Sequence, residues 1–252
     1  MSGHNKWSKI KRAKGQTDAK RGQVFTKLGR EISVAVREGG ADPESNFRLR
    51  LAIQKCRESN MPMDNVNSAI KRASGAGAGG AALQETSFEG YGPKGTAILA
   101  QALTDNRNRT LQEVRNVFQR GGGTLGEAGS VAWLFETKGS ITVDTGGANG
   151  EDIALVAIDA GADDVSIESG YLEVYTAPNK LEAVRRALEQ AKCTVSSAEI
   201  AMIPKTLLVL GEEDAVRILK LMDRLEELDD VQRVYSNVDF SDAVIEKFRA
   251  GG

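Results

Sequence analysis

The residues best suited to a chemical role lie among the first thirty, where cations are concentrated. Nine of these residues are Lys or Arg, and Asp18 is the one acidic residue among them. Closely spaced cations bind phosphate, and each phosphate that they neutralise releases counterions, so the affinity falls steeply as salt rises. The residues predicted to contact nucleic acid ahead of the first helix are Lys6, Trp7, Lys9, Lys11, Arg12 and Lys14.

Trp7 has two interpretations that the sequence leaves equally open. Its flat ring can stack on an exposed base, as aromatic side chains do in proteins that bind single strands. It can equally anchor the basic segment against a helix of the same chain. Residues 1–15 around it are small, polar and basic with no apolar period, which predicts a flexible tail.

The charge of the whole chain is divided unevenly. Residues 1–72 hold 16 Lys or Arg against 7 Asp or Glu, whereas residues 73–252 hold 17 against 28, although the formal net charge is only −2. Such polarity within one chain is typical of a protein with one end that faces a polyanion. Basic helix faces are also common on ordinary surfaces, so the interpretation depends on the density of cations near the N-terminus.

The segment "TDNRNRT" (104–110) could provide a second contact. It ends a predicted strand and begins a predicted helix, where side chains and free backbone N–H groups are presented together. Asp105 or Asn106 can cap the helix, and the fork-shaped donors of Arg107 and Arg109 can bind phosphate or an acidic partner. Capping alone and capping with recognition both remain open.

Enzymatic chemistry has little support in the sequence. The only histidine, His4, lies in the predicted tail, so no rigid Ser-His-Asp or Cys-His pair can be built. The acidic pairs Asp163-Asp164 and Asp229-Asp230 each fall between a predicted helix and a predicted strand, where turn formation is their usual role. We predict that the chain is not an enzyme and takes no small-molecule substrate.

No cofactor or metal ion is predicted. Two stretches fit G-x-G-x-x-G, at Gly75–Gly80 and at Gly90–Gly95, but neither follows a strand and begins a helix as a dinucleotide site requires. Cys56 and Cys193 are isolated in sequence, which argues against a zinc site or a disulfide framework. No apolar run is long enough for a membrane helix and no secretory h-region is present, so a cytoplasmic location is expected.

The elements that would position the basic residues begin with helices. Val24, Phe25, Leu28, Ile32, Ala35 and Val36 recur at three- and four-residue steps, which predicts an amphipathic helix. Two shorter helices follow, and the three predict a bundle over residues 16–73. Four cations lie mostly off the apolar stripe of the first helix and extend the predicted nucleic-acid surface: Lys20, Arg21, Lys27 and Arg30.

Beyond a Gly/Ala-rich linker at 74–82 the pattern changes to strands and helices. Residues 131–203 predict the order β-α-β-β-α-β, the ferredoxin-like plan. Residues 83–130 and 204–240 supply the parts of another α/β domain. The predicted fold class is therefore α+β: an N-terminal three-helix bundle followed by two α/β (ferredoxin-like) domains, the last inserted in the middle one.

Several long stretches resemble the YebC/PmpR family, which includes the mitochondrial translational activator of cytochrome c oxidase. The stretches are "GHNKWSKIKRAKGQTDAKRGQVFTKLGREI", "NFRLRLAIQKCRESNMPMDNVNSAIKRA", "FEGYGPKG", "ALTDNRNRT" and "GEAGSVAWLF". The resemblance implies a three-domain α/β protein that acts as a non-enzymatic regulator, usually a DNA-binding transcriptional regulator. Some relatives look instead like translation factors that bind ribosomal RNA on the ribosome and relieve stalling at proline-rich stretches. The position of GHNKW, starting at Gly3, favours a bacterial cytoplasmic member.

Overall fold

The computed structural model describes residues 18–75, 83–168 and 170–250 of the 252-residue chain. The predicted basic tail and residues 76–82 of the predicted linker lie outside the described residues. The described part is α+β, as predicted, with helices first and sheets after them.

The chain begins with a bundle of three helices: α1 (Asp18–Gly39), α2 (Phe47–Glu58) and α3 (Met63–Ser74). The predicted apolar stripe of α1 faces inward, and α1 packs against both other helices. One buried cluster joins them, made of Leu28, Ile32, Ala35, Val36, Leu49, Ala52, Ile53, Cys56, Met61, Val66 and Ala69. Each helix therefore covers the apolar face of its neighbours, which is what stabilises short helices in water.

The turns of the bundle are fixed by specific polar contacts. Asn46 caps α2, because its side-chain oxygen accepts a hydrogen bond from the Leu49 N–H at 3.0 Å. Its Nδ2 also donates to the carbonyls of Ala35 (2.7 Å) and Gly40 (2.8 Å), so one buried amide holds the α1–α2 turn. After α2, Asn60 adopts a left-handed φ of 54°, which allows the next N–H to close back on the helix.

The first sheet contains four strands in the order β3-β1-β2-β9, with bounds Gln84–Tyr91 (β1), Ala97–Thr104 (β2), Thr124–Leu125 (β3) and Val231–Ser236 (β9). Strands β1 and β2 form an antiparallel hairpin. The helices that belong with this sheet are α4 (Arg107–Arg120), α7 (Glu212–Glu226) and α8 (Asp242–Ala250). Strand β2 is buried along most of its length, which agrees with its continuous apolar sequence.

A buried carboxylate fixes the loop that leaves β3. Glu89, on β1, accepts backbone hydrogen bonds from the N–H groups of Gly129 (2.7 Å), Val131 (2.8 Å) and Ala132 (2.7 Å). Burial by itself raises the pKa of Glu89, but these three hydrogen bonds to the charged form outweigh it and leave the pKa below its usual value.

The second sheet has the predicted ferredoxin-like plan. Its elements are β4 (Phe135–Asp144), α5 (Gly150–Asp159), β5 (Asp164–Glu168), β6 (Tyr171–Thr176), α6 (Leu181–Gln190) and β7 (Thr194–Pro204). The strand order is β5-β6-β4-β7, and all three strand pairs are antiparallel. Apolar side chains of the sheet and of α6 form its core, among them Ile141, Val143, Leu172, Val174, Leu181, Val184 and Leu188.

Residues 204–210 differ from the prediction, which placed them with the first sheet. Strand β8 (Leu208–Val209) pairs in parallel with β10 (Val238–Asp239) in a separate two-stranded sheet, because the Leu208 N–H donates to the Asn237 carbonyl at 2.7 Å. The chain divides into two compact units. The inserted unit comprises Trp133–Leu210 with Tyr235–Phe240, and the body comprises the described residues up to Ala132 together with 211–234 and 241–250. Apart from residues 204–210, the predicted domain boundaries stay a prediction.

Candidate nucleic-acid interface

The predicted contacts fall into two groups with respect to the structure. Those of the tail lie outside the described residues: Lys6, Trp7, Lys9, Lys11, Arg12 and Lys14. The other six are described, four on α1 and two at the start of α4. The structure therefore shows what surrounds the helical part of the predicted surface, all of it within the body.

Carboxylates and backbone carbonyls of the α7–β9 turn, taken as residues 226–230, contact the cations of α1. Lys20 Nζ lies 3.8 Å from a carboxylate oxygen of Glu227. About two turns further along the helix, Lys27 Nζ donates to the backbone carbonyl of Glu226. Arg21, between them, is exposed. The face of α1 that was predicted to bind phosphate is thus partly occupied by carboxylates and carbonyls of the same chain.

Arg30 makes the most buried of these contacts. Its Nη1 donates to Asp230 Oδ1 at 2.6 Å and to the Asp229 carbonyl at 2.7 Å. The Asp230 side chain is only 3% exposed, so this ion pair is screened far less than one on an open surface. Arg30 therefore ties α1 to the turn between α7 and β9.

The second oxygen of the same carboxylate binds the start of α4. Asp230 Oδ2 accepts hydrogen bonds from Arg109 Nη2 (2.6 Å), Thr110 Oγ1 (2.6 Å) and Thr104 Oγ1 (3.1 Å). Asp230 thus joins α1, the end of β2 and the start of α4 at one point. Arg109 Nη2 also binds Asp105 at 2.9 Å.

The protonation state of Asp230 follows from these partners. Burial raises the pKa of a carboxyl group, but the hydrogen bonds from Thr110, Arg109 and Arg30 stabilise the charged form more strongly and lower the pKa of Asp230. In the same way the hydrogen bond to Asp230, with that to Asp105, raises the pKa of the Arg109 guanidinium. Both groups are fully charged at neutral pH, and the site is a permanent ion-pair cluster.

At the start of α4, Asn106 is the capping residue, since its side-chain oxygen accepts from the Arg109 N–H at 3.1 Å. Arg107 is exposed, whereas the guanidinium of Arg109 is directed to Asp105 and Asp230. Capping is thus accounted for, and recognition by Arg107 or Arg109 stays a prediction.

The prediction that Asp229-Asp230 only form a turn was incomplete. Turn formation describes Asp229, which offers its backbone carbonyl, but Asp230 is a buried acceptor for four side chains. Sequence reasoning missed it because two of its partners, Arg109 and Arg30, lie 121 and 200 residues away. The spacing of residues within one helix or strand carries no information about a partner so far away in the sequence.

The described residues carry few other groups suited to chemistry. No three His, Cys, Asp or Glu side chains within them are placed to hold a metal ion. No helix there combines the length and apolar character needed to cross a membrane. The second G-x-G-x-x-G stretch ends β1 and leads into β2 through a single 3-10 turn, Pro93–Gly95, so it begins no α-helix.

Taken together, these elements define an α+β protein in which a helical bundle precedes two four-stranded sheets, one of them ferredoxin-like. The crystal structure of a conserved hypothetical protein from Aquifex aeolicus is similar to this chain, with a TM-score of 0.84 and 42% identity. The similarity covers 94% of this chain and 98% of the other. The fold is thus shared along almost the whole length of both proteins.

Family models match nearly the entire sequence. Residues 5–76 match the TACO1/YebC protein N-terminal domain, and residues 83–238 match the TACO1/YebC second and third domain. A probable transcriptional regulatory protein of Dehalococcoides mccartyi is 53% identical over 250 residues, 99% of each chain. A probable transcriptional regulatory protein of Herpetosiphon aurantiacus is 51% identical over 253 residues, 100% of each chain. The chain belongs to the YebC/PmpR family, as its motifs predicted.

Proposed function

We propose that this protein is a non-enzymatic regulator that binds nucleic acid through its N-terminal segment, with DNA as its main target and transcription as the regulated process. The observation that carries the proposal is the concentration of nine Lys or Arg among the first thirty residues of a chain whose net charge is −2. The names of the relatives, probable transcriptional regulatory proteins, support the choice of transcription.

The contacts of α1 sharpen the assignment of roles. Lys20, Lys27 and Arg30 already have acidic or carbonyl partners, so binding phosphate would require those contacts to break. Five of the nine cations lie ahead of Asp18, so the proposal gives this segment the larger share of the phosphate contacts. We therefore assign the phosphate contacts first to Lys6, Lys9, Lys11, Arg12 and Lys14.

A cytoplasmic location and the lack of enzymatic activity belong to the same proposal. The two cysteines, Cys56 and Cys193, are unpaired, as is usual in a reducing compartment. The single histidine of the sequence, His4, lies in the N-terminal segment that we assign to nucleic-acid binding, so the proposal gives it no role as a general base for a serine or cysteine.

The test is the salt dependence of binding. Replacing the five tail cations with Gln removes up to five phosphate contacts, so the slope of log K against log salt on duplex DNA should become shallower by roughly 4 to 5. Fluorescence anisotropy with a labelled duplex measures both affinity and slope. The control is Lys180→Gln with Lys192→Gln, two exposed cations of the inserted unit, which should leave the slope unchanged.

Two results would contradict the proposal. An unchanged slope in the five-site variant would remove the tail from the interface. Tighter binding to ribosomal RNA than to duplex DNA at equal salt would overturn DNA as the main target and favour the translation factor that the family resemblance also allows.

A further inference from the structure

A cleft in the body lies between the ends of α4 and α7. It is about 410 Å³ in volume and is lined by Val117, Arg120, Arg224, Glu227 and Leu228. The two helices approach closely here, since a Cβ added at Gly121, just after α4, would lie 2.6 Å from Leu221 Cδ1 on α7. The cleft is therefore built on a tightly packed pair of helices rather than on a loose surface.

The lining of the cleft combines two guanidinium groups with apolar side chains. Arg120 is the last residue of α4, and Arg224 lies in the last turn of α7. A cation near the end of one helix commonly does no more than complement the helix dipole. Here two such cations from different helices line one concave space, and both are exposed. Val117 and Leu228 are partly buried and supply the apolar part of the lining.

One carboxylate in the cleft, that of Glu227, opposes an anionic ligand. It lies 3.8 Å from Lys20 Nζ of α1, so its charge is partly offset by that cation. The contact also places the start of α1 at the rim of the cleft. The basic segment that we assign to nucleic-acid binding joins α1 at Asp18, two residues before Lys20.

We propose that this cleft receives the sugar–phosphate backbone of the bound nucleic acid, with Arg120 and Arg224 on phosphodiester oxygens and Val117 and Leu228 against the sugar. The inference rests on the proposed function and adds a site on the body to it. The planar fork of arginine suits phosphate oxygens, and the volume is in the range of pockets that hold ligands larger than a single ion.

The experiment measures binding of the full chain to a labelled DNA duplex as salt is varied. Loss of two phosphate contacts in Arg120→Gln with Arg224→Gln should make the log–log slope shallower by about 1.8 and weaken binding roughly ten- to sixty-fold at 0.1 M salt. The matched control is Arg115→Gln with Arg217→Gln, two exposed arginines of the same helices that do not line the cleft. The Lys versions of both cleft residues should restore the slope, because they keep the charge.

The outcomes separate this inference from the proposed function. If the unaltered protein binds no nucleic acid, the proposed function fails and this inference with it. If it binds, and the Gln variant matches the Arg115/Arg217 control, the cleft is not part of the interface and only this inference fails. A third arm titrates inorganic phosphate by calorimetry. Saturable binding that is lost in the Gln variant, with DNA affinity unchanged, would identify a site for free phosphate instead and overturn the inference.

Discussion

The carboxylate of Asp230 is a point in the body where one nearly isosteric substitution should have a large effect. Asp230→Asn keeps the shape of the side chain but removes its charge and puts an NH₂ group where an oxygen accepted hydrogen bonds. Asp230 Oδ1 accepts a hydrogen bond from Arg30, and Oδ2 accepts hydrogen bonds from Arg109, Thr110 and Thr104. In either orientation of the Asn amide, its NH₂ group therefore faces at least one of these donors.

The size of the effect follows from burial. Removing one partner of a buried ion pair costs about 3–5 kcal/mol. Since the side chains of Arg30 and Arg109 are 23% and 44% exposed and recover some hydration, we take the lower end, about 3 kcal/mol. A loss of this size should raise the rate of hydrogen exchange that requires unfolding of the body roughly 100-fold, and should lower the melting temperature of the body by about 6–12 °C.

Hydrogen exchange followed by mass spectrometry is the appropriate assay, because it reports on the body and the inserted unit separately. Peptides from α1 and β9 should exchange faster in Asp230→Asn, whereas peptides from the core of the inserted unit should change little. The control is Asp229→Asn, which alters the adjacent exposed side chain and keeps the backbone carbonyl that Arg30 uses. Equal protection of α1 in the two variants would refute the reasoning.

The same carboxylate predicts a pH dependence. The pKa of Asp230 is lower in the folded state than the value near 3.9 of an unfolded chain. Its contribution to stability is therefore complete above that value and is lost as pH falls through the folded pKa. The stability difference between the wild-type protein and Asp230→Asn should shrink as urea unfolding is measured at successively lower pH below about 4. A difference that grows on acidification would contradict the assignment.

Three further substitutions or probes test other contacts. Glu89→Gln weakens three hydrogen bonds to backbone N–H groups and should cost about 2 kcal/mol in thermal unfolding, whereas exposed Glu127→Gln should cost almost nothing. Asn46→Ala removes a helix cap and leaves two carbonyls without their donor, so about 2 kcal/mol should be lost, against a few tenths for its exposed neighbour in Ser45→Ala. Burial, with a smaller effect of the nearby Glu31 charge, raises the pKa of Cys56 to about 12, so an iodoacetamide titration of the native protein at pH 8 should label the other cysteine alone.

Local patterns predicted most of the fold. The apolar spacing in α1 identified Leu28, Ile32 and Ala35 as inward-facing, and all three are buried. The alternation over residues 131–203 predicted the ferredoxin-like order because each element there is long enough to show its own period. Helix α8 was missed although its signal was present: Val244, Ile245 and Phe248 are spaced for one helical face and are buried.

Contacts between distant parts of the chain could not be predicted in this way. Strand β8 has two residues, too few to show a period, and its partner β10 lies beyond a complete helix. The predicted interface on α1 named Lys27 and Arg30 from charge alone. The charge of a side chain does not predict which residue it will contact. In the structure the partners of Lys27 and Arg30 lie in the α7–β9 turn.

The separation of 200 residues between Arg30 and Asp230 has a consequence for synthesis on the ribosome. Chains grow at about 5–20 residues per second, so roughly 10–40 s pass between the addition of one residue and the addition of the other. During that interval the bundle can already bury its own apolar cluster, while Arg30 remains without the carboxylate that later receives it. Attachment of α1 to the α7–β9 turn is thus among the last events in the maturation of a newly made molecule.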